Sequence, residues 1–83
     1  MGKVKEVEKL FSVTEISRLV GVVGKTIVDW EIAGHIPPSM RIGLQKKRVW
    51  TKPKVVLVLR FARDLGYPVP DEDDFIKGRY WST

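Results

Sequence analysis

SVTEISRLVGVVGKTIVDWEIAGHI, residues 12–36, is the stretch whose reading decides the fold. Ser12 is followed three residues later by Glu15, the capping-box spacing in which each side chain satisfies a backbone amide at a helix start. Val13, Ile16, Leu19 and Val20 then fall on one helical face, so the first helix has an apolar side to bury. Gly21 ends it, because glycine takes the left-handed conformation that a helix exit commonly requires. A second helix is predicted from Gly24 to Ala33, with Ile27 and Trp30 turned inward and Gly34 at its end. Residues 13–20 and 24–33 thus form two short helices joined by a tight glycine turn.

On the C-terminal side, Pro37 and Pro38 forbid further helix and stiffen the exit. SMRIGLQKKRVW, residues 39–50, reads as a β-hairpin: Met40-Arg41-Ile42 and Lys47-Arg48-Val49-Trp50 have period-2 character around a turn at Gly43 to Lys46. Residues 51–65, TKPKVVLVLRFARDL, are ambiguous locally, since the β-branched, apolar run from Val55 to Leu59 can pass for a buried strand. A helix over 52–65 is preferred. Thr51 is a good N-cap, Pro53 suits a first turn, Gly66 stands where a C-cap glycine belongs, and Val55, Val58, Ala62 and Leu65 share one stripe. After the connector Tyr67-Pro68-Val69-Pro70, Asp71 is expected to cap a last short helix, DEDDFIK, ended by Gly78. Its acids face the positive end of the helix dipole, and Phe75 and Ile76 are expected to return to the core. Upstream, residues 2–10, GKVKEVEKL, alternate in charge and place Val4, Val7 and Leu10 at i, i+3, i+6, as either an amphipathic turn or a loose arm. The division expected is an arm over 1–10, one domain over 11–78 and a tail over 79–83.

The chain's 83 residues suffice for one small core and no second domain. A 43% hydrophobic content with three Trp and three Phe favours a folded domain. There are no cysteines, which removes thiolate metal sites and thiol catalysis and suits a reducing cytoplasm. No apolar run approaches the ~20 residues of a membrane span, and no signal-peptide pattern opens the chain. The net charge is +5, unevenly spread: residues 1–70 carry 13 Lys and Arg against 6 acids, while Asp71, Glu72, Asp73 and Asp74 stand together near the other end. A basic body of this kind suits a polyanionic partner, although excess lysine also serves plain solubility.

Few residues invite other chemistry. GVVGKT, residues 21–26, has the tail of a phosphate-binding loop, but Leu19 stands where the leading glycine belongs and the preceding segment is helical, not a strand. His35 is the only histidine and has no ligand-spaced partner; it suits the C-terminal end of the second helix. Asp29 and Asp64 have no nucleophile or base in a triad order around them. The expectation is therefore no enzyme, no metal and no cofactor. Trp30 and Trp50 fit either core or nucleic-acid-flanking positions, and Trp81 either an interaction surface or a tail. The two short helices with their glycine turn form a helix-turn-helix arrangement, whose second helix enters the DNA major groove. A basic hairpin directly after such a pair can lie along phosphates or in the minor groove.

Taken in order, Phe11 to Gly66 resembles the winged-helix DNA-binding domain of the MerR family and its excisionase-like relatives. The family's opening aromatic and "T-x-x-E-(L/I)-A" helix is matched by Phe11, Ser12, Glu15, Ile16 and Ser17. Its "G-V-S-x-x-T-I-R-Y-Y-E" turn is matched by Gly21, Val22, Thr26, Ile27, Trp30 and Glu31, and its "G-L-(L/I)-x-P" exit by Gly34, His35, Ile36 and Pro38. The wing closure "Y-R-x-Y-(S/T)" corresponds to Lys47, Arg48, Val49, Trp50 and Thr51, and the ending "L-G-(F/Y)" to Leu65, Gly66 and Tyr67. The match covers about two thirds of the chain. Val23 stands in place of the cap serine, and Val28 and Asp29 in place of the "R-Y" that faces DNA, which shifts the emphasis to the wing.

The resemblance implies a mostly α, single-domain winged helix-turn-helix with a small β-hairpin wing, binding double-stranded DNA. Lys25 and Thr26 would approach base edges and phosphates, with Trp30 flanking them. The amides near Ser12 and Thr14 would hold a phosphate, Arg18 would add a backbone contact, and Arg41, Lys46, Lys47 and Arg48 would carry the wing. Transcription regulation, excision and DNA packaging are the roles of relatives of this shape, which places the expected site of action in the cytoplasm at the nucleoid. The competing expectation is a protein-interaction module that docks a second copy or another protein through the aromatic tail and acidic patch.

Overall fold

The structure, a computed structural model, describes residues 9–78, so the tail over 79–83 and nearly all of the arm over 1–10 lie outside the described residues. In chain order the elements are β1 (Leu10–Ser12), α1 (Val13–Val20), α2 (Gly24–Ile32), β2 (Met40–Ile42), β3 (Lys47–Thr51), α3 (Lys52–Asp64) and α4 (Glu72–Ile76). The three strands form one antiparallel sheet in the order β1-β3-β2. No helix among the described residues is long and apolar enough to cross a membrane.

The capping box at α1 is fully formed. The Ser12 hydroxyl accepts from the Glu15 amide at 3.3 Å, and the Glu15 carboxylate accepts from the Ser12 amide at 3.0 Å. Gly21 closes the helix at φ +89°, its amide donating to the Ser17 carbonyl at 2.8 Å. The glycine of α2 has a different role. A Cβ built on Gly24 would stand 3.0 Å from Val13 Cγ1, so the absence of a side chain lets the start of α2 lie against α1. This packing requirement accounts for the second glycine of GVVGKT.

Residues 55–59 are helical. Val55, Val58, Leu59 and Ala62 bury one face of α3 against Phe11, Ile16, Val20, Ile27 and Trp50, while Pro53 occupies the first turn. The β-branched run forms a helix because its period-3.6 face is the buried one; tertiary packing outweighs its modest helix propensity. Trp50 is fully buried and its indole N–H donates to the Pro37 carbonyl at 2.8 Å, which removes the cost of burying that donor. Phe75 brings α4 back to the core against the Phe11 ring, 5.3 Å between centroids.

Four expectations are corrected. Leu10–Ser12 is a strand, which joins the hairpin as a third member by pairing Phe11 with Trp50 and Ser12 with Val49. Three residues are too few to carry a period-2 signal, and the strand exists through its partner β3. Leu65 and Ile76, expected in the core, are each 53% exposed. Leu65 is the C-cap of α3, past its last buried turn, and Ile76 lies about 100° around the short last helix from buried Phe75. Thr51 and Asp71 occupy N-cap positions as expected, but neither side chain makes the cap hydrogen bond. Helices α2 and α3 also stop one residue earlier than expected, at Ile32 and Asp64.

Candidate nucleic-acid interface

The cation-rich region is built on the β2–β3 hairpin. Its register sets Arg41 directly opposite Arg48, and Ile42 opposite Lys47. Strand alternation therefore places the two arginines on one face of the sheet and Lys47 on the other. Like charges facing each other across a ladder repel, so this pairing needs an anion nearby. Glu31, near the end of α2, supplies it. One carboxylate oxygen accepts from Arg48 Nε at 3.0 Å, and the other accepts from the Ser39 amide at 2.7 Å and the Ser39 hydroxyl at 2.8 Å. Burial pushes the Glu31 carboxyl up, but the Ser39 amide and hydroxyl and the Arg48 guanidinium outweigh it and hold it below the ordinary glutamate value. The Arg48 and Glu31 side chains are 27% and 14% exposed, so this is a semi-buried clamp between α2 and the hairpin.

Arg41, Lys46 and Lys47 are exposed and make no salt bridge among the described residues. Lys46 holds the turn at φ +53°, a left-handed conformation that costs a lysine side chain some strain. Arg18 is likewise exposed on α1 and makes no salt bridge among the described residues. Lys25 is 81% exposed at the start of α2, where its ammonium lies 3.2 Å from the Asp29 carboxylate. The outward face of α2 thus carries one neutralised charge pair, flanked by exposed Val23 and Ile32. Thr26 is half-buried, its amide donating to the Val23 carbonyl at 3.0 Å, because Val23 offers no side-chain cap.

Two of the sequence-derived candidates, Trp30 and Ser12, are already engaged within the fold. Trp30 packs edge-on against Phe61 at 5.1 Å and against Tyr67 at 5.8 Å, on the inner side of α2. Ser12 is engaged in its cap with Glu15, so a carboxylate already stands at the start of α1 beside exposed Thr14. For Glu15 too, burial pushes the carboxyl up while the Ser12 amide and Lys9 hold it low overall. Lys47 adds to that pull from across the sheet.

Glu31 is the residue that site reasoning from sequence missed. One signal was present: Asp29 and Glu31 are the only acids between Glu15 and Asp64. The acidic cluster at 71–74 is largely paired within the fold. Glu72 receives both Arg60 Nε and Nη2, Asp71 lies 3.6 Å from Arg63, and Asp73 lies 3.3 Å from Lys77. Among the described residues no three His, Cys, Asp or Glu side chains gather as a metal site. Compared with protein-family models, curated proteins and solved structures, the chain matches none.

Proposed function

We propose that this chain binds double-stranded DNA as a winged helix-turn-helix of MerR-like or excisionase-like type, with β2–β3 as the wing and α2 presented to the major groove. The observation that carries this reading is the hairpin: Arg41, Lys46 and Lys47 stand exposed without salt bridges among the described residues, and Glu31 fixes the hairpin to α2. A fixed angle between a slim basic hairpin and a helix suits a duplex, which offers two adjacent grooves at constant spacing. In this reading the wing supplies most of the electrostatic affinity. Lys25 and Thr26 supply base preference, and transcription regulation, excision or packaging is the process served at the nucleoid.

Titration of a labelled duplex by fluorescence anisotropy at several salt concentrations tests this. Four or five neutralised phosphates give a log K against log salt slope of about −3.5 to −4.5. Binding to a single strand as tight as to the duplex counts against groove recognition.

The rival reading, a protein-docking module, draws on the apolar groove between α3 and α4 formed by Pro53, Val56, Leu57 and Ile76. Its acidic patch is weakened as a docking element by the internal ion pairs of Asp71, Glu72 and Asp73. A pull-down partner retained at high salt would favour it.

A further inference from the structure

The tip of the β2–β3 hairpin carries a residue that folding leaves without use. The turn is closed by the Lys46 amide donating to the Gly43 carbonyl at 3.1 Å, with Leu44 and Gln45 at its apex. Leu44 is 101% exposed, as open to water as in an isolated peptide. Ile42, at the base of the turn, is also exposed. Turn tips ordinarily take Gly, Asn, Asp or Ser, for conformational and hydration reasons that leucine does not satisfy. Around this apolar apex stand Arg41, Lys46 and Lys47, all exposed, and no acid occurs from Ile32 to Arg63.

We infer that Leu44 is an apolar wedge that the hairpin drives into the DNA minor groove, opening a base step and kinking the duplex. The inference rests on the DNA-binding reading and adds the groove, the contact and the deformation. The minor groove is about 6 Å wide, too narrow for a helix but wide enough for a turn apex, and its walls and floor offer the sugar and base surface that an apolar side chain can cover. The cations at the base of the turn match the phosphates that line both rims. An anionic lipid surface also attracts a basic, leucine-tipped loop. The Glu31–Arg48 clamp speaks for the duplex, because holding the loop at a set angle to α2 serves a rigid two-groove target and adds nothing on a fluid one.

The test compares the whole chain with Leu44→Ser and Leu44→Met, using a duplex labelled at both ends and containing a flexible TA step. Both variants change a side chain that touches nothing buried, and circular dichroism should show unaltered folds. The expected result is that the unaltered chain shortens the end-to-end distance by energy transfer. Leu44→Ser then binds about tenfold more weakly, loses the bend and keeps the same salt slope, since an apolar contact releases no counterions; Leu44→Met keeps the bend. The wedge is overturned if the unaltered chain binds without bending, or if Leu44→Ser binds and bends unchanged. It is also overturned if the loss of affinity comes with a flattened slope, which would mean that Leu44 only places the cations. In those cases the DNA-binding reading survives. If the unaltered chain ignores the duplex and instead binds phosphatidylserine vesicles through Leu44, both the wedge and the DNA-binding reading fall.

Discussion

Glu31 on α2 and Arg48 on β3, 17 positions apart in the chain, meet at 3.0 Å and join the helix to the hairpin. The contact cancels the charge of one of two arginines that face each other across the ladder and leaves the other, Arg41, exposed. Arg48 thus holds the hairpin in position, and on the DNA-binding reading proposed above the phosphate contacts would fall to Arg41, Lys46 and Lys47.

The clamp has a pH signature. The Glu31 carboxyl is held below 4.5, so it contributes stability that is present above the unfolded value and lost as pH falls through the folded one. Glu31→Gln should destabilise the fold by about 1.5–3 kcal/mol near neutral pH, the range for hydrogen bonds to a charged group. The difference from the unaltered chain should shrink towards zero below pH 4.5. Urea unfolding at a series of pH values measures it; a constant difference across that range would show that Glu31 acts by packing instead.

Gly24 should prove intolerant of a branched side chain. A Cβ there meets Val13 Cγ1 at 3.0 Å, and further atoms must push α1 and α2 apart. Gly24→Val should cost about 1–3 kcal/mol. Val13→Ala in the same chain should recover part of that loss, read as a coupling energy in a double-mutant cycle. Simple additivity would mean that the strain lies elsewhere.

Asp29 should oppose DNA. Its carboxylate lies 3.2 Å from the Lys25 ammonium on the outward face of α2. Asp29→Asn should tighten duplex binding several-fold and make the salt slope steeper by about one unit, as Lys25 becomes available to a phosphate. Lys25→Ala should cost about 1–3 kcal/mol, mainly on a preferred site, if Lys25 reads a base. Equal loss on preferred and random duplexes would reduce Lys25 to a phosphate contact.

How much of this was legible in the sequence depends on the range of the interaction involved. The limits of α1 follow from Ser12, Glu15 and Gly21, which act within one helical turn, and the structure keeps them to the residue. The hairpin follows from alternation around Gly43 to Lys46, and its cations from simple reading. Strand β1 was invisible because its three residues are extended only through pairing with β3. The Glu31 clamp was legible only in part: the scarcity of acids between Glu15 and Asp64 singles Glu31 out, but no local pattern announces that it serves Ser39 and Arg48 together. Ile76 misled because an apolar residue next to Phe75 reads as core, while a five-residue helix has only one side to bury.

The most direct test of the central claim, that the hairpin cations carry duplex binding, is the salt dependence of one variant. Arg41→Gln, Lys46→Asn and Lys47→Gln are combined, asparagine being chosen because it tolerates the left-handed conformation at position 46. Arg48 is left in place to keep the Glu31 clamp. Anisotropy on several duplex sequences should show affinity reduced for all of them alike, with the log K against log salt slope flattened by about two to three units, roughly one per lost phosphate contact. A slope near zero for the unaltered chain, or an unchanged slope in the triple variant, would contradict the claim.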